Sequence, residues 1–304
     1  MKTKKLGIRT VGAVLLSTLW FATCHAADPG SAGFKEAVLK QESIYRGGEE
    51  QVANGYTIDR GLPVYKQGLP ADFDRALARL GPTDRWLDIG AGTAQAILDY
   101  YTVGYDVTHV DGREWGVNKA RAVAMSIEDR RTPLWYKTAG SLAENQIRYL
   151  VDKRLREYST QELGQFQVIT DVIGGFSYTD TLSIFMEKVL SLLAVNGSFY
   201  TVLQDVQWED GTNQPYYKGA SFLTEIKNAD GSEMKMCAWL KRISCVEVTC
   251  ESRPRWQPPL EAFHVRKVCE NVSVPALTVT RYEPGTPPER RFRLSNSFDL
   301  QTSR

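Results

Sequence analysis

The segment Leu87–Ala94 is the most informative part of the chain, because an acid and two closely spaced glycines lie within eight positions. A short apolar run ends at Gly90-Ala91-Gly92, and a helical pattern follows. Glycines at such a turn let a ligand approach the backbone, and the start of the helix adds unpaired N–H groups. Asp111 comes nineteen residues after Gly92, at the end of the next predicted strand, where an acid can bind ribose hydroxyls. The pattern predicts a site for a ribose-containing ligand.

Two classes of ligand use this strand, loop and helix. A dinucleotide site has the pattern G-x-G-x-x-G, but the third glycine position is Gln95, whose bulk would impede close packing of helix and strand. A site for S-adenosylmethionine commonly shows an acid followed by G-x-G-x-G, which here corresponds to Asp88, Gly90, Gly92 and Ala94. The sequence therefore favours S-adenosylmethionine over a nicotinamide dinucleotide.

The elements that must position these residues alternate between strand and helix, which predicts right-handed crossovers and a parallel sheet. The predicted strands are Trp86–Ile89, Tyr105–Val110, Leu134–Thr138, Phe166–Ile173 and Ser198–Leu203. The predicted helices between them are Ala94–Tyr101, Val117–Asp129, Ser141–Arg156 and Thr179–Leu193, and upstream of the sheet we expect helices at 33–54 and Pro70–Leu80, with a loop at 55–68. Three later strands, Cys245–Glu251, His264–Cys269 and Leu277–Tyr282, predict an antiparallel addition to the sheet edge.

From about residue 84 to residue 203, the chain resembles the class I S-adenosylmethionine-dependent methyltransferases. Beyond the glycine loop, the resemblance lies in the segments Val107–Arg113, Phe166–Val172 and Leu192–Tyr200, which are similar to the family's second strand, fourth strand, and helix with fifth strand. It implies an α/β fold with a seven-stranded, mostly parallel Rossmann-like sheet that contains one reversed strand. It also implies an N-terminal helical lid, for which Tyr45, Arg46, Tyr56 and Arg60 are candidates.

The resemblance also assigns site residues. It implies that S-adenosyl-L-methionine contacts the acid, the glycine loop, the ends of the second and third predicted strands, and the residues after them. These cofactor-binding candidates are Asp88, Gly90, Gly92, Thr93, Asp111, Gly112, Gly140 and Ser141. Asp171 ends the fourth predicted strand, where open α/β sheets bind ligands, and we expect it and Tyr178 to face the substrate as catalytic residues.

The N-terminus has the layout of a secretory signal peptide. Basic residues precede an apolar stretch, Val11–Thr23, that is too short for a comfortable membrane span, and small residues follow. We expect cleavage after Ala26, an exported protein (periplasmic or secreted), and no stable membrane span in the mature chain. The predicted division is a signal peptide at 1–26, a lid region at 27–80, a methyltransferase-like domain at 81–283 and a C-terminal tail at 284–304.

The cysteines support export. Cys24 lies in the signal segment, and the other four cluster at Cys237, Cys245, Cys250 and Cys269, which in an exported chain predicts two disulfides. If 245–250 is one strand, its ends are roughly 16 Å apart, too far for a bond between Cys245 and Cys250. Two partitions remain open, and we favour Cys237 with Cys245 and Cys250 with Cys269.

Composition narrows the function further. The chain of 304 residues has 37 basic and 36 acidic side chains, so it carries no electrostatic footprint for nucleic acid. Asp171 is followed by Val172 rather than by the Pro-Pro-aromatic of base-methylating enzymes. The three histidines, one of them in the signal segment, exclude a multi-histidine metal site. We expect methyl transfer to a small molecule or a peptide side chain; the alternative is an exported, catalytically degenerate binding protein.

Overall fold

The computed structural model describes residues 60–102, 119–127, 129–203, 223–253, 260–283 and 289–295. Its helices are α1 (Leu62–Gly68), α2 (Phe73–Ala78), α3 (Gln95–Thr102), α4 (Pro133–Ser141), α5 (Thr160–Leu163), α6 (Gly175–Tyr178), α7 (Leu182–Leu192) and α8 (Met236–Leu240), with a 3₁₀ turn at Leu155–Glu157. Its strands are β1 (Arg85–Ile89), β2 (Arg121–Met125), β3 (Ile147–Leu150), β4 (Phe166–Val172), β5 (Leu193–Leu203), β6 (Leu223–Lys227), β7 (Glu233–Met234), β8 (Val246–Arg253), β9 (Leu260–Lys267), β10 (Leu277–Glu283) and β11 (Glu289–Leu294). Within these ranges no helix is both long and apolar enough to cross a bilayer.

The main sheet has seven strands in the order β3-β2-β1-β4-β5-β9-β8. All pairs from β3 to β5 are parallel, and β9 is antiparallel to both of its neighbours. The predicted mostly parallel sheet with one reversed strand is therefore confirmed. A second sheet, β10-β11-β6-β7, has a parallel β11–β6 pair between antiparallel pairs.

Helices cover both faces of the main sheet, as buried parallel strands require. On one face, α1 to α4 contribute a cluster that includes Tyr65, Phe73, Ile97 and Trp135. On the other face, α5 to α8 and the second sheet contribute another, with Phe176, Met186 and Phe292. The described part of the predicted lid region thus forms part of a helical layer against the sheet.

The order of elements between β1 and β4 differs from the prediction. The segment 117–129, expected to be helical, contains β2, and the expected strand Leu134–Thr138 is instead α4. Thr132 caps α4 by accepting a hydrogen bond from the Trp135 N–H, and Pro133 occupies its first turn. Similarly, Ser141–Arg156 is not a helix, because it contains β3. The expected strand Tyr105–Val110 lies outside the described residues, as does the helix at 33–54.

Burial on both faces explains the misplaced strand. Arg121–Met125 contains two alanines and a methionine, which favour a helix by propensity, but its last four residues are buried between β1 and β3. Tertiary context therefore overrides local preference. Elsewhere, α1 lies in the expected loop at 55–68, and the predicted C-terminal tail contains β11 with its buried Phe292.

The cysteine pairs are Cys237 with Cys250 and Cys245 with Cys269, with Cα separations of 6.2 and 5.1 Å. The exclusion of a Cys245–Cys250 bond holds, but the preferred partition is wrong. The antiparallel register explains the observed pairing. Val246 pairs with Lys267, and the segments just beyond this pair bring Cys245 beside Cys269.

The β10 strand, expected at the main sheet edge, belongs to the second sheet.

Candidate functional site

A pocket opens at the carboxyl ends of β1, β2 and β4. Its floor is formed by the loop Gly90–Thr93, by Met125–Ile127 after β2 and by Ile173–Gly175 after β4. The chain leaves β1 toward the face covered by α3, whereas after β4 it packs against the opposite face. This is the switch point at which open α/β sheets bind ligands.

The two glycines of the β1 loop have different surroundings. Gly90 has a φ of +71°, and a Cβ added there would lie 2.6 Å from the Gly174 Cα. Gly92 has a φ of +57°, but an added Cβ would meet nothing within 4 Å. Gly90 therefore allows the loops after β1 and β4 to touch. Gly92 lines the pocket, and the open space beside its Cα forms a cradle for a ligand.

Neighbouring strands hold this loop in place. The Ala91 N–H donates to the Met125 carbonyl at 3.0 Å, and the Tyr149 hydroxyl from β3 donates to the Gly92 carbonyl. Ala94, where the family pattern has glycine, also adopts a left-handed conformation with a φ of +62°. The backbone therefore retains the geometry for which glycine is favoured, at the cost of a strained alanine.

Asp88 is fully buried beneath the loop. Its carboxylate accepts hydrogen bonds from the Tyr65 hydroxyl at 2.9 and 3.0 Å and from the Thr170 hydroxyl at 2.7 Å. Burial raises the pKa of Asp88 to about 7, although both hydrogen bonds and Arg60 favour its charged form. The side chain thus joins α1, β1 and β4, and it is not among the residues that line the pocket.

Asp171 is also fully buried, one strand away. Its oxygens accept from the backbone N–H groups of Gly174 and Phe176 at 2.9 and 3.0 Å, which fixes the turn from β4 into α6. Burial raises the pKa of Asp171 to about 7 against these two hydrogen bonds. The carboxylate shapes the pocket wall rather than lining it, and a direct role in transfer stays a prediction.

The structure brings only some of the predicted site residues together. Gly90, Gly92, Thr93 and Tyr178 line the pocket, and Arg60 reaches it from the region predicted as a lid. Gly140 and Ser141 end α4, where Ser141 donates to the Thr138 carbonyl, and they are not among the lining residues. Their assignment assumed a third strand at 134–138. Asp111, Gly112, Tyr45, Arg46 and Tyr56 lie outside the described residues.

The sequence prediction missed the residues that follow the second and third strands of the sheet. Ser126, Ile127 and Arg130 come after β2 and line the pocket. After β3, Asp152 has a φ of +68° and donates its N–H to the Ile127 carbonyl at 3.2 Å. Placing β3 at Ile147–Leu150 would have drawn attention to Asp152 as an acid just after a strand end.

A separate polar cluster lies on the sheet away from the pocket. His264 on β9 contacts Asp72 through Nδ1 at 2.9 Å and Ser198 through Nε2 at 2.9 Å, and its ring stacks on Tyr200. The buried Ser198 pairs with Val168, near the start of β4, whereas the pocket lies beyond the other end of β4. These contacts satisfy a core histidine and attach the N-terminal helices to the sheet.

No protein-family model matches the chain, and no curated protein matches it either. Solved structures can be aligned with parts of the chain at low identity. The Burkholderia thailandensis 1,6-didemethyltoxoflavin-N1-methyltransferase is 13% identical, with a TM-score of 0.44 over 78% of this chain and 89% of that one. Haemonchus contortus phosphoethanolamine N-methyltransferase 2 is 12% identical, with a TM-score of 0.41 over 66% and 54%. These scores do not define a family for the chain.

Proposed function

We propose that the protein binds S-adenosyl-L-methionine in this pocket and transfers its methyl group to a small molecule or a peptide side chain. The observation that carries the proposal is the glycine loop at the switch point, with an open cradle at Gly92 beside the ends of β1 and β2. A loop of this kind fits a ligand that must approach the backbone closely. The strand order, with β9 reversed, supports the same proposal.

The lining residues fit the parts of this cofactor. The loop Gly90–Thr93 offers backbone groups for its amino-acid end, and Met125–Ile127 offer an apolar and polar edge for its nucleoside end. Ile173 and Tyr178 would exclude water on the β4 side. The bound cofactor would supply an electrophilic methyl group, so the protein's task is to bind, orient and desolvate the two reactants.

Asp88 and Asp171 act on this site through their neighbours. Asp88 holds Tyr65 and Thr170 under the glycine loop, and Asp171 holds the turn that presents Gly174 and Tyr178. Replacing Asp171 with Asn turns an amide N–H₂ toward one of the two backbone donors. A positioning role predicts that stability and cofactor affinity fall together, whereas a direct catalytic role predicts lower turnover at unchanged affinity.

The cysteine pairs support export. Disulfides persist in oxidising compartments, and two pairs lie at bonding distance in the C-terminal region. We propose that residues 1–26 direct the protein out of the cytoplasm.

Ultraviolet cross-linking with methyl-labelled S-adenosylmethionine tests the proposed site. We expect label that excess S-adenosylhomocysteine displaces, in peptides that contain Gly90–Thr93, Met125–Ile127 or Tyr178. Labelling that is not displaced, or that is confined to peptides from the second sheet, would contradict the proposal. Binding without turnover of any acceptor would favour the catalytically degenerate binding protein.

A further inference from the structure

The described residues that line the pocket are strongly basic. They include six cationic side chains against a single acid, Asp180. The cations are Arg60, Arg130, Lys153, Arg154, Arg156 and Lys188. A cleft lined by one sign of charge concentrates ligands of the opposite sign. The basic lining therefore favours an anion as the ligand that enters the pocket beside the cofactor.

Arg60 interacts with the two buried acids, so we do not count it among the cations that could bind a second ligand. Its Nη1 donates to the Val172 carbonyl at 2.6 Å, and its charge lowers the pKa of both Asp88 and Asp171. The remaining five cations also line the pocket. Lys153 also lies 3.9 Å from Glu162, and both side chains are about half exposed, so this contact is a weak surface pair.

Four of these cations come from two elements that pack together. Lys153, Arg154 and Arg156 lie in and before the 3₁₀ turn at Leu155–Glu157, which packs against α7, and Lys188 lies on α7 itself. One helical turn before Lys188, Ile184 lines the same pocket and is 51% exposed. Positions four residues apart share a helix face, so an apolar surface and a cation stand side by side.

The apolar part of this wall continues inward. Leu155 and Phe185 also line the pocket, and both are buried in the core beneath the sheet. The wall therefore combines buried apolar side chains with basic side chains that are more exposed. Arginine binds carboxylate and phosphate oxygens in a fixed fork geometry, while the apolar residues of this wall favour a hydrocarbon or aromatic body.

We infer that the second ligand of this pocket, the methyl acceptor under the proposed function, is an anion with an apolar body, such as a carboxylate or a phosphate ester. The role of this ligand as methyl acceptor rests on the proposed function, but binding of an anion to the pocket can be tested independently.

Two fluorescent probes of matched shape test the inference. 8-Anilinonaphthalene-1-sulfonate is anionic, and N-phenyl-1-naphthylamine has the same ring system without the sulfonate. We expect Arg156→Gln and Lys188→Gln each to weaken binding of the anionic probe about fivefold, with less than twofold change for the neutral probe. Lys241→Gln, at an exposed position after α8, is the matched control and should change neither.

Titrations with S-adenosylhomocysteine on the same variants separate this inference from the proposed function. Unchanged cofactor affinity with weaker anion binding supports the inference. Equal weakening of the cofactor and the anionic probe would overturn it, because the cations would then serve the cofactor. Equal effects on both probes, or no saturable binding of the anion, would also overturn it. Failure of wild-type protein to bind the cofactor, with charge-dependent anion binding intact, would overturn the proposed function alone.

Discussion

Alanine substitutions at Gly90 and Gly92 should have different consequences, although both glycines have positive φ. A left-handed alanine costs about 1–2 kcal/mol, and the stiffer unfolded chain returns about 0.4–1 kcal/mol. At Gly92 nothing else is lost, since an added Cβ meets no atom within 4 Å. At Gly90 the Cβ would lie 2.6 Å from the Gly174 backbone, which adds about 1–3 kcal/mol of overpacking.

We therefore expect Gly90→Ala to lower the free energy of unfolding by about 2–4 kcal/mol and Gly92→Ala by about 1 kcal/mol. Gly231→Ala is the matched control, because Gly231 has a φ of +89° and open space around its Cα in the turn between β6 and β7. It should cost the same as Gly92→Ala. Urea unfolding followed by tryptophan fluorescence measures all three.

Ligand binding separates the matched pair. The methyl group of Gly92→Ala enters the cradle, so affinity for S-adenosylhomocysteine should fall at least about tenfold, whereas Gly231→Ala should bind like wild type. Wild-type affinity in Gly92→Ala would refute the cradle. Equal stability of Gly90→Ala and Gly92→Ala would refute the close contact between the β1 and β4 loops.

Two further predictions concern stability. The pKa of Asp88 is about 7 in the folded protein, above its value of 3.8 in the unfolded chain. Protonated Asp88 therefore stabilises the fold fully below pH 3.8, and this stabilisation is lost as the pH rises through 7. Because the slope is up to about 1.4 kcal/mol per pH unit, Asp88→Asn should gain stability relative to wild type between pH 4 and 7; a pH-independent difference in urea titrations would contradict this. Non-reducing peptide mapping should show Cys237 linked to Cys250 and Cys245 linked to Cys269, and removing the first pair should cost about 3 kcal/mol; four alkylatable thiols in native material would exclude both bonds.

The sequence predicted well those strands whose ends are marked by the residues directly before and after them. Trp86–Ile89 is a mainly apolar run between Arg85 and Gly90, and Phe166–Ile173 lies between Gln165 and Gly174, so both were placed within one or two residues. Arg121–Met125 could not be placed this way, because its alanines are buried by β1 and β3, which are distant in sequence.

Site residues could be predicted where an unusual backbone conformation requires a particular residue type, such as glycine. Gly90 and Gly92 need positive φ and could be found from the sequence. Ile173 also has positive φ, at +55°, but a β-branched residue gives no sign of such a conformation. The buried partners of Asp88 could not be foreseen either, since Tyr65 comes from a helix in an expected loop.

The cysteine pairing shows the same limit. Spacing along one strand excluded the bond between Cys245 and Cys250, which is a local argument. Choosing between the remaining partitions required the register of β8 against β9, and that register places Cys250 opposite Phe263, away from Cys269.

Calorimetric titration of the purified, disulfide-bonded protein with S-adenosylmethionine, S-adenosylhomocysteine and NAD shows directly whether the pocket at the glycine loop binds a sulfur nucleoside. We expect saturable binding of both sulfur nucleosides at one site and no binding of NAD, with affinity lost in Gly92→Ala and retained in Gly231→Ala. Binding of NAD, or the absence of binding by either sulfur nucleoside to folded protein, would contradict this expectation.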